Sequence, residues 1–501
     1  MKVSLAGYNV DTTVLGELEK KAGKRQDITP EVLSAAYSRI SRDPRVITEI
    51  RKSAREEVER SRASNSTIIF KMGHHSVAEH AVFNFDIIGL SRLAMEDLEK
   101  FRLCSYTEKS QRYITLDKDF VIPDEIKNTR FEGLFTEMIR EQNETYFELF
   151  EKLKNHVFTK YAELAQDPKK YSLLEGWAKE DARYVTALAT ESQAGLTVNA
   201  RNMELMLRRF ASHPLSEVQA LGRQLYAQIA DVAPSIVIFH QANDRDRNTY
   251  PELAKLAARF TKKAAAAGKE YVQLVEYTRD GETIIAASLL HASSNLPYEQ
   301  CKAIAKKLPR RELENIFKGS WKNLQFYDSM LREFEYVNLT YNIVLSATCF
   351  GQLKRHRMAT LTSQNYDPAL GVTVPAAIAE IGMDRQFMSI VNKTNKVYAD
   401  IKKKIPLAAP YILTNAHRKR VLMRVNGREL YHISRLREDA HAQWDIRNVS
   451  GAMAARARKA MPLVFALACG KDKYNETYKK IFGKLPKVVQ AELPGARKIK
   501  K

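Results

Sequence analysis

The stretch AVFNFDIIGLSRLAMEDLEKFRLCSYTEKSQRY, residues 81–113, returns in altered form as YVNLTYNIVLSATCFGQLKRHRMATLTSQNYDP, residues 336–368. Each opens with about ten alternating positions, the period of a half-buried strand. Each then takes on helical spacing and ends in a polar loop. Setting Lys100 on Arg355 aligns the two at an offset of 255 residues. A repeat of this length fixes the architecture before any local detail, because each copy must build the same unit.

A second pair lies downstream. DARYVTALATESQAGLTVNARNMELMLRR (181–209) parallels APYILTNAHRKRVLMRVNGRELYHISRLR (409–437), each a strand running into an Asn-x-Arg that starts a helix. Asn199 sets on Asn426 at an offset of 227, so the first copy carries 28 extra residues, assigned to the charged helical stretch around 150–176. MKVSLAGYNV reads as a first strand, and long helices near 215–232 and 441–461 close the two copies. The expected fold class is α+β: two tandem copies of one domain, each a mainly antiparallel sheet with helices. The copies span 1–247 and 270–501, joined by a linking helix over 248–269.

The bulk numbers agree with this plan. A chain of 501 residues exceeds what one compact core usually serves, and 45% apolar with 28% charged residues is ordinary for a globular protein. No apolar run approaches the roughly 20 residues of a membrane span, so no membrane is expected. The N-terminus is too short and polar for a signal peptide, and a cytoplasmic location is the expectation. The four cysteines form no CxxC, which argues against a disulfide framework and a zinc knuckle. A net charge of +21 admits nucleic acid or small phosphorylated ligands as partners, and part of it reads as solvated surface, as at Lys402–Lys404 and the tail ARKIKK. With no GxGxxG after a strand and no Walker A, any nucleotide cofactor is held in another way.

Four clusters carry chemistry. Gln352, Arg355 and His356 stand at i, i+3 and i+4, which predicts one helical face offering an amide, a guanidinium and an imidazole to an anionic ring or phosphate. Arg357 is turned about 100° further round. The matching face of the first copy, Asp97, Lys100 and Phe101, lacks that set. In SYTEKSQRY, Ser110 offers a hydroxyl and Arg112 a bidentate fork, a common way to hold phosphate, while Glu108 can accept from a base or ribose. The second copy has Asn365 at the Ser110 position and no arginine two residues on. Arg428, His432 and Arg435 share a polar helical face, and Asn426 stands where a cap is needed. Arg437 lies on the side of Leu430 and Ile433; part-buried there, it needs an anion or a carboxylate. GHHSVAEH (73–80) has three histidines and a glutamate, but not at zinc-site spacing, so no metal is expected. Each cluster has a plain structural alternative: a surface helix, a polar turn or a cap.

Together these blocks resemble the flavin-dependent thymidylate synthase family, whose signature is Arg-His-Arg, seven residues, then Ser, closely followed by Arg-Tyr. The second copy has Arg355-His356-Arg357 but Asn365 in place of the serine; the first has Ser110-Gln111-Arg112-Tyr113 but Lys100-Phe101-Arg102. GHHSVAEH is similar to the family's G-H-x-S-x-x-E-H, and DARYV, the Asn-x-Arg helix and HAQWDIR (441–447) resemble later blocks. The resemblance implies FAD held without a Rossmann fold, and methylation of dUMP to dTMP with methylenetetrahydrofolate as carbon donor and NADPH as reductant. It implies substrate contacts at Glu108, Ser110, Arg112, Gln352, Arg355, Arg437 and Arg183, with Arg437 and Ser110 catalytic. It implies flavin contacts at His74, Ser76, Glu79, Arg355, His356, Arg357, Asn426, Arg428, His432, Asn199 and Arg201.

The family's sites form where the subunits of a homotetramer meet. Here one combination of unlike halves is nearly complete and the reciprocal one is poor. The expectation is therefore composite sites between unlike halves, a homodimer acting as a pseudo-tetramer, and half the usual number of active sites. Three departures stand out. The phosphate arginine of the ARYV block is Arg183 in the first copy but Pro410 in the second, a gap for Arg418 or Arg420 to fill. The second copy reads MLREFEY at 330–336, without the G-H-x-S-x-x-E-H block. The spacing from Asn199 leaves both Arg208 and Arg209 open as the counterpart of Arg437. Two other readings stay in play: a flavoenzyme acting on a different pyrimidine, free or in nucleic acid, and a non-catalytic nucleotide- or nucleic-acid-binding descendant.

Overall fold

The computed structural model describes residues 1–11, 29–39, 45, 47–57, 61–63, 65, 75–112, 119–264, 268 and 270–487; His74 and Tyr113 lie outside them. The chain folds as two compact units, one of residues 1–267 with 373–416, the other of 268–372 with 417–501. A segment of the second repeat thus belongs to the first unit. The first unit holds β1 (Lys2–Tyr8), β2 (Val82–Ser91), β3 (Cys104–Glu108) and β4 (Glu191–Asn199), in the antiparallel order β1-β2-β4-β3. The second holds β5 (Val272–Tyr277), β6 (Asn338–Ser346), β7 (Thr360–Ser363) and β8 (Arg418–Asn426), in the order β5-β6-β8-β7. The two sheets are the same object built twice, as the repeat requires.

The register makes the equivalence residue by residue. Val82 faces Asn199 and Asn338 faces Asn426; Glu108 faces Ala194 and Ser363 faces Val421. One irregularity separates the sheets. The ladder slips between Ile88 and Leu90, where Gly89 takes φ +80° in a bulge that a side chain would strain. That extra residue makes the offset 256 before the bulge and 255 after it, and a Cβ at position 89 would meet Met1 Cα at 3.1 Å. Along β2 the alternation is clean: Phe83, Phe85 and Ile87 are buried, while Asn84, Asp86 and Ile88 are exposed. β6 departs from the expected half-burial, since Thr340 and Val344 are buried as well.

Each central strand runs into a short helix, Arg92–Leu98 or Ala347–Leu353. Ser91 and Ser346 cap them, each hydroxyl accepting a backbone N–H at 3.0 Å, from Ala94 and Cys349. A buried carboxylate anchors each cap: Ser91 Oγ donates to Glu217 and Ser346 Oγ to Asp445, both at 2.6 Å. These helices stop early. The second ends at Leu353, before Arg355 and His356, because β7 must begin at Thr360 to pair with Arg424. The single helical face expected for Gln352, Arg355 and His356 therefore does not form. SYTEKSQRY is likewise not all loop, since its first residues complete β3.

In the first unit the helix Glu132–Lys160 packs against Asp384–Lys402, and buried Gln142 Nε2 donates to Thr394 Oγ1 at 2.8 Å and Ile412 O at 3.0 Å. A further helix, Tyr171–Ala182, follows in the first repeat. The second repeat passes from Lys402 straight into the short turn Ala409–Ile412, so that helix has no counterpart. The helix Asp244–Thr261 starts on a capping box between Asn243 and Asp246. No described helix is long and apolar enough to cross a membrane.

Candidate active site

In the second unit three polar groups interlock beside the end of the helix Gly427–Arg437. Arg437 Nε donates to His356 Nε2 at 3.0 Å, and His356 Nδ1 lies 3.4 Å from Glu429 Oε1. Because Nε2 accepts, the imidazole proton sits on Nδ1, facing the carboxylate. Burial, then the charge of Arg437, lowers the His356 pKa to about 3, and burial raises that of Glu429. The ring is thus neutral at pH 7. Arg437 Nη2 also donates to Gln352 O at 3.4 Å. Both acceptors are neutral, so these two contacts are not the anion or carboxylate expected from the sequence.

The neutral ring gives a pH prediction. The folded pKa of His356 lies below its unfolded value near 6.5, so its contribution to stability is complete above about pH 6.5 and is lost as pH falls toward about 3. The expected slope is up to about 1.4 kcal/mol per pH unit in that window. Denaturant unfolding of wild type and His356→Asn across pH 4–7 measures it. Parallel curves for the two proteins would show that the histidine does not titrate in this way.

Gln352 is held from the other side. Gln443 caps the helix Trp444–Ala460, its Oε1 accepting from Asp445 N at 3.1 Å and Ile446 N at 3.4 Å. That atom must be an oxygen, so Gln352 turns Nε2 toward it, at 3.4 Å. Gln352 Oε1 is left buried with no partner. An unpaired buried acceptor costs about 1–3 kcal/mol, a cost that a ligand N–H or O–H would remove. Arg355 is exposed and Arg357 half-buried.

The first unit has lost this cluster. Phe101 stands at the place of His356 and Phe210 at the place of Arg437, and the two rings meet edge to face at 5.7 Å. Neither Arg208 nor Arg209 is therefore the counterpart of Arg437. Arg208 donates to Asp246 Oδ2 through Nε at 3.0 Å and Nη2 at 2.8 Å, and Arg209 lies 3.9 Å from the same carboxylate.

What the first unit holds instead is a cluster of arginines and carboxylates around Ser110. Ser110 Oγ accepts from Arg112 N at 3.2 Å and fixes the turn, and Arg112 Nε donates to Glu180 Oε1 at 2.5 Å. Ser192 Oγ donates to Glu108 at 3.5 Å. Arg183 is buried next to them: its Nε donates to Glu180 O at 3.3 Å, while Nη2 is buried with no partner. Burial lowers the Arg183 pKa, with Arg112 and Arg92 adding repulsion and Tyr184 and Glu180 opposing it. Arg183, the arginine that the sequence reading assigned to phosphate, thus lies near Arg112.

In the second unit the same loop is turned inward. Tyr366, in the place of Gln111, is buried over Lys419 at 4.1 Å, with Phe350 against that ammonium at 4.0 Å. Asp367, in the place of Arg112, accepts from Ala369 N at 3.0 Å and caps a short turn. Arg420, a candidate to replace the arginine lost at Pro410, donates to Gly268 O.

Of the expected flavin contacts, Glu79, Asn199 and Arg201 gather at the start of the helix Ala200–Ala211, and Asn426 and Arg428 at the start of its equivalent, Gly427–Arg437. Asn199 and Asn426 both serve as caps, accepting from Asn202 N at 3.0 Å and Glu429 N at 2.8 Å. Arg201 pairs with Glu79, and Arg428 Nη1 donates to Glu335 at 2.8 Å. Glu335 is thus the counterpart of Glu79, so MLREFEY keeps the glutamate of the block that its sequence seemed to lack. Ser76 and His432 are exposed. Arg435 donates to Asp328 O and so is drawn away from the polar face assigned to it. The sequence reading passed over Gln111, Glu335, Asn415, Glu429 and Gln443. Of these, Gln111 stood inside the Ser-Gln-Arg-Tyr motif and Gln443 inside HAQWDIR, but neither was assigned a role.

Sheet order and register define a tandem-duplicated α+β protein whose two copies carry different polar clusters. The family described as thymidylate synthase complementing protein matches the chain twice, over residues 26–235 and 273–463, and the chain belongs to that family. Among its relatives, a UPF0159 protein of Chlamydia muridarum is 24% identical over 406 residues, 77% of each chain. A UPF0159 protein of Thermoplasma acidophilum is 22% identical over 471 residues, 83% of this chain and 90% of the relative. A flavin-dependent thymidylate synthase of Clostridium tetani is 28% identical over 210 residues, 41% of this chain and 80% of the relative.

Proposed function

We propose that this protein is an FAD-dependent thymidylate synthase of the cytoplasm, methylating dUMP to dTMP with methylenetetrahydrofolate and NADPH. The observation that carries the reading is three of the buried polar atoms left without a hydrogen-bond partner among the described residues: an acceptor on Gln352, and donors on Arg183 and Gln111. An acceptor suits an imide N–H or a sugar hydroxyl, and donors beside Arg112 suit a phosphate. A pyrimidine nucleoside monophosphate has both. The Gln352 acceptor lies in the second unit and the Arg183 and Gln111 donors in the first, so this reading draws on both copies.

In this reading Arg112, Arg183 and Ser110 bind the phosphate end, with Glu108 toward the sugar or base. Gln352, Arg355 and Arg437 bind the pyrimidine. Arg437, aimed by the neutral His356, stabilises negative charge as it develops on a pyrimidine carbonyl oxygen. The donor chemistry of Arg201, Arg428, Arg355, Arg357, His432, Ser76 and Glu79 fits a flavin dinucleotide, whose phosphates need cations and whose ribose hydroxyls need acceptors; Asn199 and Asn426 act by shaping the helix starts. The flavin supplies the hydride-transfer chemistry when bound, and the protein binds and orients the substrate around it. The working form is a homodimer, equal in domain count to a tetramer of single-copy chains.

The test is dTMP formation by the pure protein supplied with FAD, dUMP, methylenetetrahydrofolate and NADPH. Turnover is the expected result. Flavin binding without dTMP would favour a flavoenzyme acting on another pyrimidine, a second reading supported by the UPF0159 name of relatives aligned along most of the chain. No flavin binding at saturating FAD would leave a nucleotide- or nucleic-acid-binding protein.

A further inference from the structure

Asn415 comes from the second repeat but lies in the first unit, 1% exposed. Its Nδ2 donates to Arg183 O at 3.2 Å, Thr186 Oγ1 at 3.0 Å and Gln111 Oε1 at 3.2 Å. A backbone carbonyl only accepts, so the atom facing it is the Asn415 amide nitrogen. That nitrogen in turn forces Gln111 to face it with oxygen. Gln111 Nε2 is then directed elsewhere, and it is buried with no partner. Asn415 therefore ties together the two residues, Gln111 and Arg183, that each bury an unpaired donor.

The pseudo-symmetric position shows that this is a specialised arrangement. Asn415 N donates to Thr186 O at 2.9 Å, and Leu188 N donates to Leu413 O at 2.7 Å, so the two backbone crossings mirror each other. Their side chains do not. Where one crossing has Arg183, Thr186 and Asn415, the other has Pro410, Leu413 and Leu188, and the residue aligned with Gln111 is Tyr366. Arg183, Thr186 and Asn415 thus each have an apolar counterpart.

We propose that Asn415 is a positioning residue, which turns the Gln111 carboxamide so that Gln111 Nε2 joins Arg183 Nη2 in binding the tetrahedral oxyanion of a phosphate monoester. This rests on the nucleotide reading above and adds to it a donor and the residue that aims it. The second repeat thereby serves the first repeat's phosphate site with a side chain its own counterpart site lacks.

The experiment is calorimetric titration of the full-length protein with dUMP, with deoxyuridine and with inorganic phosphate. Asn415→Leu installs the residue found at the mirrored position. It should weaken dUMP about tenfold or more while leaving deoxyuridine unchanged. Gln111→Glu replaces the donor with an anion and should weaken dUMP further; it decides the matter if Asn415→Leu does not fold. Unchanged dUMP affinity in folded variants would overturn the proposal and leave the synthase reading intact. Asn415-dependent binding of inorganic phosphate without dUMP binding would uphold the oxyanion site and remove the synthase reading. Wild-type protein that binds no phosphate-bearing ligand would overturn both.

Discussion

Arg437→Ala is expected to lower the rate of dTMP formation by about 10²- to 10³-fold, the usual effect of removing a preorganised donor from developing negative charge. The guanidinium is held toward two neutral acceptors, His356 Nε2 at 3.0 Å and Gln352 O at 3.4 Å. Arg437→Lys should not restore the rate, because an ammonium cannot keep the Nε contact to His356 while reaching the substrate. The loss should fall mainly on kcat, since the phosphate end is held by other residues. Steady-state kinetics on flavin-loaded protein measures this. A loss under tenfold for both variants would remove Arg437 from the chemical step.

Arg183→Leu is expected to weaken dUMP by about 100-fold while leaving the melting temperature unchanged or higher. The two effects have one cause. Arg183 is buried and its Nη2 lacks a partner, so the folded protein bears a desolvation cost that a bound phosphate offsets. Glu180 stays paired with Arg112 in the variant, so no carboxylate is stranded. Thermal unfolding and dUMP titration of the same preparation test both halves. A large fall in melting temperature with unchanged affinity would make Arg183 a structural residue.

The fold was legible because duplication writes the pattern twice. Strand, cap and helix at 82–98 and 338–353 share the capping serines and the inward apolar positions that any copy of this unit needs. Where helices end was not legible. The spacing of Gln352, Arg355 and His356 fits a helix, but the pairing of Thr360 with Arg424 draws the chain out of it after Leu353. The replacement of Arg437 by Phe210 was hidden by two arginines nearby. Only the register from Asn199, and the pairing of Arg208 with Asp246, reveals it. Asn415 was out of reach for another reason. Its role depends on packing into the first unit, which no local pattern in LTNAHR encodes.

The account rests on one competent donor set per chain. The aromatic pair Phe101–Phe210 and the inward-folded Tyr366 loop each replace half of a second set. The most direct test is to count dUMP sites by titrating nucleotide into flavin-loaded protein of known chain concentration. The account predicts saturation at one dUMP per chain. Saturation at two would contradict it, showing that the altered residues of both copies still build a working site.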